Sequence, residues 1–87
     1  MINADEIARE LERFIRDQFK VPAGDPDFSQ DVHLFDYGYV DSFGAVELNT
    51  FVEEHFGVKI SQSDLIAYPL NSVKEIAAFV TLRKSQN

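Results

Sequence analysis

The sequence contains no cysteine, and no lysine or arginine anywhere between residues 21 and 58. Without thiols there is neither a disulfide nor a thiolate zinc site, so burial of apolar side chains must hold the fold by itself. Long apolar runs are missing as well. The longest spans residues 76–80, whereas a helix needs about 20 apolar residues to cross a bilayer. The opening Met1-Ile2-Asn3-Ala4-Asp5-Glu6 turns acidic at once and does not read as a signal peptide. These absences point to a soluble, cytoplasmic protein with no membrane association. Cations are scarce overall, with 8 Lys and Arg against 15 Asp and Glu and a net charge of -7. That balance argues against nucleic acid and anionic surfaces as partners and favours basic ones.

What is present suits one small domain, residues 1–87, with 45% hydrophobic residues and 8 Phe to build a core. A chain this short leaves little room for a large enclosed active site. The negative charge is unevenly placed. Residues 1–20 sum to -1 and residues 59–87 to +2, whereas 21–58 hold eight acids (Asp25, Asp27, Asp31, Asp36, Asp41, Glu47, Glu53 and Glu54) and sum to -8. The whole surplus lies in the middle of the chain.

Apolar periodicity predicts four helices, one of them short. Ile7, Leu11, Phe14, Ile15 and Phe19 line one face of a helix over 4–19, which Asn3 and Glu6 open with a capping-box pattern. Pro22, Gly24 and Pro26 end it, and a long loop runs to about residue 40, with Val32, Leu34 and Phe35 as its anchors to the core. A loop so long and so well anchored is more often functional than idle. Ala45, Leu48, Val52 and Phe56 predict a second, acidic helix over 42–56, ended by Gly57 in the left-handed conformation. Ser61-Gln62-Ser63-Asp64 opens a third helix that Pro69 keeps short, and Ser72-Val73-Lys74-Glu75 opens the last, with Val73, Ile76, Ala77 and Val80 as its apolar stripe and Arg83 and Lys84 in its final turn. No segment alternates with period two. The fold class is therefore all-α, a four-helix bundle with a short third helix.

Groups fit for catalysis or metal binding are sparse. His33 and His55 have no Cys to activate and no third ligand at a metal spacing, so each reads as a partly buried or surface imidazole. Glu53 and Glu54 are neighbours on a helix and do not face each other, so they make no acid/base dyad. Asp25, Asp27, Ser29 and Asp36 faintly follow a calcium-loop spacing. The pattern fails at Gln30, where the sharp turn needs Gly, and at Asp36, which is one carbon shorter than the usual bidentate Glu. Neither a catalytic nor a metal site is expected.

One feature remains, Gly38-Tyr39-Val40-Asp41-Ser42-Phe43, where the long loop becomes the second helix. Ser and Asp are common helix caps, which is the plain structural role for the pair. Yet each of the other three helices has an acid three residues after its cap, whereas Ala45 and Gly44 stand at that offset from Ser42 and Asp41. A hydroxyl at such a helix start lies among unpaired N–H groups and the positive end of the dipole, which would stabilise a phosphate ester on it.

These residues resemble an acyl or peptidyl carrier protein of the phosphopantetheine-binding family. The likeness runs from Leu34-Phe35 through Gly38-Tyr39-Val40-Asp41-Ser42-Phe43, Val46-Glu47-Leu48 and Glu53-Glu54-His55-Phe56-Gly57-Val58-Lys59-Ile60 to Ser72-Val73-Lys74-Glu75-Ile76. It implies that a phosphopantetheinyl transferase, using coenzyme A and magnesium, links phosphopantetheine to the Ser42 oxygen, with Asp41 as the flanking residue of the motif. The terminal thiol of that arm then carries a thioester, which suits a chain that has no thiol of its own. The resemblance further implies a carrier that is not an enzyme. Its second helix is the surface that basic patches on partner enzymes recognise, here through Phe43, Val46, Glu47, Glu53 and Glu54.

The pattern departs from fatty-acid carriers, which generally have Asp-Ser-Leu followed by another acid. Here Phe43 and Gly44 follow Ser42, and Thr50 replaces a larger apolar residue near the acyl pocket. The run is more similar to stand-alone carriers of specialised pathways, such as the D-alanyl, aminoacyl, pyrrolyl and methoxymalonyl types. The expectation is a monomeric carrier loaded by an acyl- or aminoacyl-transferring enzyme in a cell-wall or secondary-metabolite pathway. The alternatives are a fatty-acid-type carrier and an unmodified acidic helical module that docks basic proteins.

Overall fold

The computed structural model describes residues 3–85. Met1 and Ile2, part of the acidic opening read above as unlike a signal peptide, lie outside them. Among the described residues the elements are α1 (Ala4–Gln18), α2 (Ser42–Phe56), α3 (Gln62–Ala67) and α4 (Val73–Ser85), with no strand. The described residues form an all-helical bundle with a short third helix, and none of its helices is long and apolar enough to cross a membrane.

Each helix starts where its cap residue predicts. Asn3 accepts from the Glu6 N–H at 2.9 Å, though only this half of the expected capping box forms. At α3 the box is complete: Ser61 Oγ accepts from Asp64 N–H, and the Asp64 carboxylate accepts from Ser61 N–H. At α4, Ser72 Oγ accepts from Glu75 N–H while the Glu75 carboxylate reaches one residue further back, to Asn71 N–H. Ends follow equally local causes. Gly57 closes α2 in the left-handed region at φ 69°. Helix α1 ends at Gln18, one residue earlier than its periodicity predicts, because Phe19 leaves helical geometry at φ -106° and Lys20 then turns left-handed at φ 57°.

The core gathers the predicted stripes: Ile7, Leu11 and Ile15 of α1, Leu48, Val52 and Phe56 of α2, and Val73, Ile76, Ala77 and Val80 of α4 are all buried. Burying each of the larger of these side chains contributes about 1.5–3 kcal/mol, an upper estimate given residual structure in the unfolded chain, and the methyl of Ala77 contributes less. Among the helices the most extensive backbone contact is between α1 and α4. Helices α1 and α2 are bridged instead by large side chains, with the rings of Phe14 and Phe51 stacked at 4.0 Å between centroids.

The loop between α1 and α2 is long but well tied. Val32 and Leu34 are buried and Phe35 packs against the core, as their spacing predicts. Backbone bonds from Leu34 N–H to Asn71 O and from Lys74 N–H to Gln30 O fasten the loop to the α3–α4 connection and to the first turn of α4. The Val40 N–H bond to Leu34 O then folds the loop back on itself and delivers the chain to the start of α2.

Candidate functional site

The start of α2 is fixed from below. Val40 is buried, and Asp41 takes the N-cap position in extended geometry, its Oδ1 accepting from Gly44 N–H at 2.8 Å. The cap of this helix is thus Asp41, and Ser42 is the first residue inside it. The Ser42 side chain is exposed and free of the capping role. With Gly44 N–H on Asp41 Oδ1 and Ala45 N–H on Asp41 O, the N–H groups of Ser42 and Phe43 are left without intrahelical partners. Helix α2 also has no acid in its first turn, whereas Asp5 and Glu6, Asp64, and Glu75 occupy that place in the others. A negatively charged group on the Ser42 oxygen would therefore meet unpaired donors and the positive end of the dipole, without a competing carboxylate in the first turn of the helix.

Beside this start lies a groove of about 530 Å3 between α2, α3 and the segment after it, walled by Phe35, Ala45, Asn49, Leu65 and Tyr68. Ala45 and Asn49 follow Ser42 at intervals of three and seven, so the groove runs along the face of α2 that begins at Ser42. A flexible arm joined at that hydroxyl fits the arrangement: an exposed attachment oxygen, donors for a phosphate and a groove of mixed polar and apolar lining on the same helical face.

The residues proposed for partner recognition fall into two groups. Phe43 and Val46 are 85% and 66% exposed, and Glu47 and Glu54 are exposed beside them. Glu53 is half-buried, and its Oε2 accepts from Ile60 N–H at 2.8 Å, so part of its carboxylate holds the turn after α2. Thr50 is exposed and borders a different groove, on the α1 side of the helix. Gln18, which donates to Glu47 Oε2 at 2.7 Å, carries no signal in the sequence because it matters only once α1 stands beside α2.

The remaining polar groups of the middle segment are engaged structurally. Asp25 accepts from Asp27 N–H and from the Tyr39 hydroxyl, and Ser29 Oγ accepts from Asp31 N–H. Burial, reinforced by the bond to Asp25, pushes the Tyr39 phenol up to about 12. His33 Nδ1 accepts from Asp36 N–H, and His55 Nε2 lies 2.6 Å from Glu10 with its ring stacked on Phe51. Among the described residues no group of three or more His, Asp or Glu side chains is placed to hold a metal ion.

Comparison with known proteins agrees with this geometry. The family described as phosphopantetheine attachment site matches residues 9–80, a stretch that contains all of α2 and α3 and most of α1 and α4. No curated protein matches the chain. Because the family match covers most of its length, the chain belongs to the phosphopantetheine-attachment family, whose members are carrier proteins, not enzymes, bearing a covalent phosphopantetheine group.

Proposed function

We propose that residues 1–87 form a discrete, monomeric, single-domain carrier whose phosphopantetheine arm is attached to Ser42 and presents an acyl or aminoacyl thioester to cytoplasmic partner enzymes. The observation that carries this reading is the division of labour at the start of α2. Asp41 makes the capping bond, so the structural role a serine would fill there is already taken, and Ser42 is exposed. The arm supplies the thiol that the chain lacks. The chain's own residues orient the attachment oxygen and leave N–H donors for the phosphodiester.

The pathway reading is a specialised one, with a small acyl or aminoacyl cargo loaded by an adenylating or acyl-transferring enzyme through a basic patch. Three features support it. Gly44 stands where fatty-acid carriers generally have an acid, the stacked rings of Phe14 and Phe51 occupy the space between α1 and α2, and the groove beside Ser42 is open, not enclosed. Exposed Phe43, Val46, Glu47 and Glu54 offer a docking face of mixed apolar and acidic character, which suits basic enzymes approaching under electrostatic steering.

Cargo size tests the reading. The protein is charged with short acyl, aminoacyl or long-chain acyl phosphopantetheine by a broadly specific transferase, and its melting temperature is compared with that of the arm alone. Small cargoes are expected to leave it unchanged and long chains not to raise it. A clear stabilisation by long chains would mean that the bundle shelters them, and would overturn the specialised reading in favour of a fatty-acid-type carrier.

A further inference from the structure

Helix α1 has three faces with different neighbours. Ile7, Leu11 and Ile15 enter the core, and Glu10, Phe14 and Gln18 meet α2. Arg9, Arg13 and Arg16, at spacings of four and three, form a line on the outward side, and Lys20 follows in the left-handed turn just past the helix end. The line is one residue wide, because Glu10 on one side of it bonds to His55 of α2 and Glu12 on the other bonds to Gln30 of the loop.

The chain has 8 Lys and Arg, and half of them are engaged within the fold. Arg16 bonds to Glu12 and lies over the Phe28 ring, Lys74 pairs with Asp31, Arg83 with Asp64, and Lys84 donates to Phe56 O. Among the described residues Arg9, Arg13, Lys20 and Lys59 are exposed and enter no ion pair, and three of these four belong to α1 or the turn that ends it. In a chain of net charge -7 this row reverses the field locally.

Beside Arg13 a notch of about 160 Å3 opens against the rings of Phe14 and Phe51, with the His55–Glu10 pair as its other wall. It has room for one apolar side chain. Arg9 and Arg13 stand four residues apart, about 6 Å along the axis, which is the step at which any helix repeats side chains on one face. A helical segment with carboxylates at that step and one apolar residue beside them matches the row and the notch together. A broader polyanion does not, since nucleic acid or an anionic bilayer would reach past the row to Glu10, Asp17 and the acids of α2.

We propose that the outward face of α1 docks an acidic amphipathic helix of a partner protein, with Arg9, Arg13 and Lys20 meeting its carboxylates and the notch beside Arg13 seating its apolar residue. This face is separate from the α2 surface, so one partner stays attached through α1 while enzymes exchange at Ser42. For the discrete carrier proposed above, such a second contact raises the local concentration of its enzymes. The docking itself goes beyond the carrier reading and does not depend on modification of Ser42.

The probe is a blocked helical peptide with Glu at every fourth position and one Leu beside that row, titrated into the isotope-labelled full chain and compared with its Glu→Gln twin. Amide shifts are expected to gather on α1 and around Phe51 and His55, with binding that weakens as salt is raised and is absent for the twin. Arg9→Gln and Arg13→Gln are each expected to raise Kd about two- to fivefold, the range of exposed ion pairs, with melting temperature unchanged. No binding, shifts centred on another face, or a Kd unmoved by both variants would overturn the inference. Equal or tighter binding of duplex DNA or of phosphatidylserine vesicles would also overturn it, by assigning the row to another class of partner. Transfer of phosphopantetheine to Ser42 is expected to run undiminished with the peptide bound, and inhibition would contradict the separation of the two faces. A chain that binds the peptide but accepts no phosphopantetheine would remove the carrier reading and leave this inference standing.

Discussion

The ring of Phe19 lies against the backbone of Gly44, so close that a methyl group on Gly44 would stand 2.7 Å from its Cε1 and 3.1 Å from Cγ1 of Val40. The residue that ends α1 therefore packs under the first turn of α2, two residues after Ser42. This contact accounts for a glycine where fatty-acid carriers generally have an acid: any side chain would push the ring away and shift the helix start. In an unhindered helix Gly→Ala gains about 1 kcal/mol, whereas overpacking costs about 1–3 kcal/mol. Gly44→Ala is expected to destabilise the chain by up to about 2 kcal/mol in urea unfolding, and Phe19→Leu in the same chain to recover part of that loss. A more stable Gly44→Ala single variant would contradict the packing argument.

The acids of α2 divide by task. The Glu53 carboxylate holds Ile60 N–H, and hydrogen bonds to charged groups contribute about 1.5–3 kcal/mol when shielded from water. Because Glu53 is only half-buried, Glu53→Lys is expected to cost about 1–2 kcal/mol of stability. Glu47→Lys should leave stability within about 0.5 kcal/mol while slowing loading, and the slowing should fade as salt is raised. Chemical unfolding and loading rates measured on both variants check the division. Equal stability losses would contradict it.

Tyr39 anchors the loop that leads into Ser42 by donating to Asp25 at 2.9 Å and packing edge-on against Phe28. Its phenol is raised from 10.0 to about 12, first by burial and then by the bond to Asp25. A raised folded value means that the protonated phenol contributes stability in full below pH 10, and that the contribution is lost as pH climbs towards 12. Tyrosinate absorbance should therefore show a late-titrating component from Tyr39 in the folded protein. Tyr39→Phe should remove that late component and flatten the loss of stability at high pH.

Asp64 works at the opposite end of the scale. Ser61 N–H, and then the Ser61 hydroxyl and Arg83, hold its carboxyl below the usual 3.8. A lowered folded value means that the ionised form contributes stability above pH 3.8 and that this is lost as pH falls through the folded value. Asp64→Asn should melt at a lower temperature than wild type at neutral pH, and the two curves should converge in strong acid. Melting temperatures across that pH range check the sign, and a constant gap would contradict it.

Helix starts and stops were legible in the sequence because their causes are local. Asn3, Ser61 and Ser72 each bond within three residues of themselves, Gly57 needs only its own backbone freedom, and Pro69 limits α3 without help from elsewhere. The apolar stripes were legible for the same reason, since they repeat within one helix. Contacts between elements were not. The Phe14–Phe51 stack and the Gln18–Glu47 bond depend on which helix faces which, and the Tyr39–Asp25 anchor depends on how the long loop folds back on itself; no periodicity along the chain encodes either. The site divides along the same line. Asp41-Ser42 at a helix start stood out as a motif, whereas the assignment of the cap to Asp41, the reason for Gly44 and the inward bond of Glu53 required the packed structure.

The central claim is that the Ser42 oxygen bears the arm. The direct measurement is fragment mass spectrometry of the full chain after incubation with coenzyme A, magnesium and a broadly specific phosphopantetheinyl transferase, run beside Ser42→Ala. The account predicts a gain of one phosphopantetheinyl group located at Ser42 in the wild type and no gain in the variant. A modified Ser42→Ala chain, or a wild-type chain that stays unmodified while a control carrier is loaded, would contradict it.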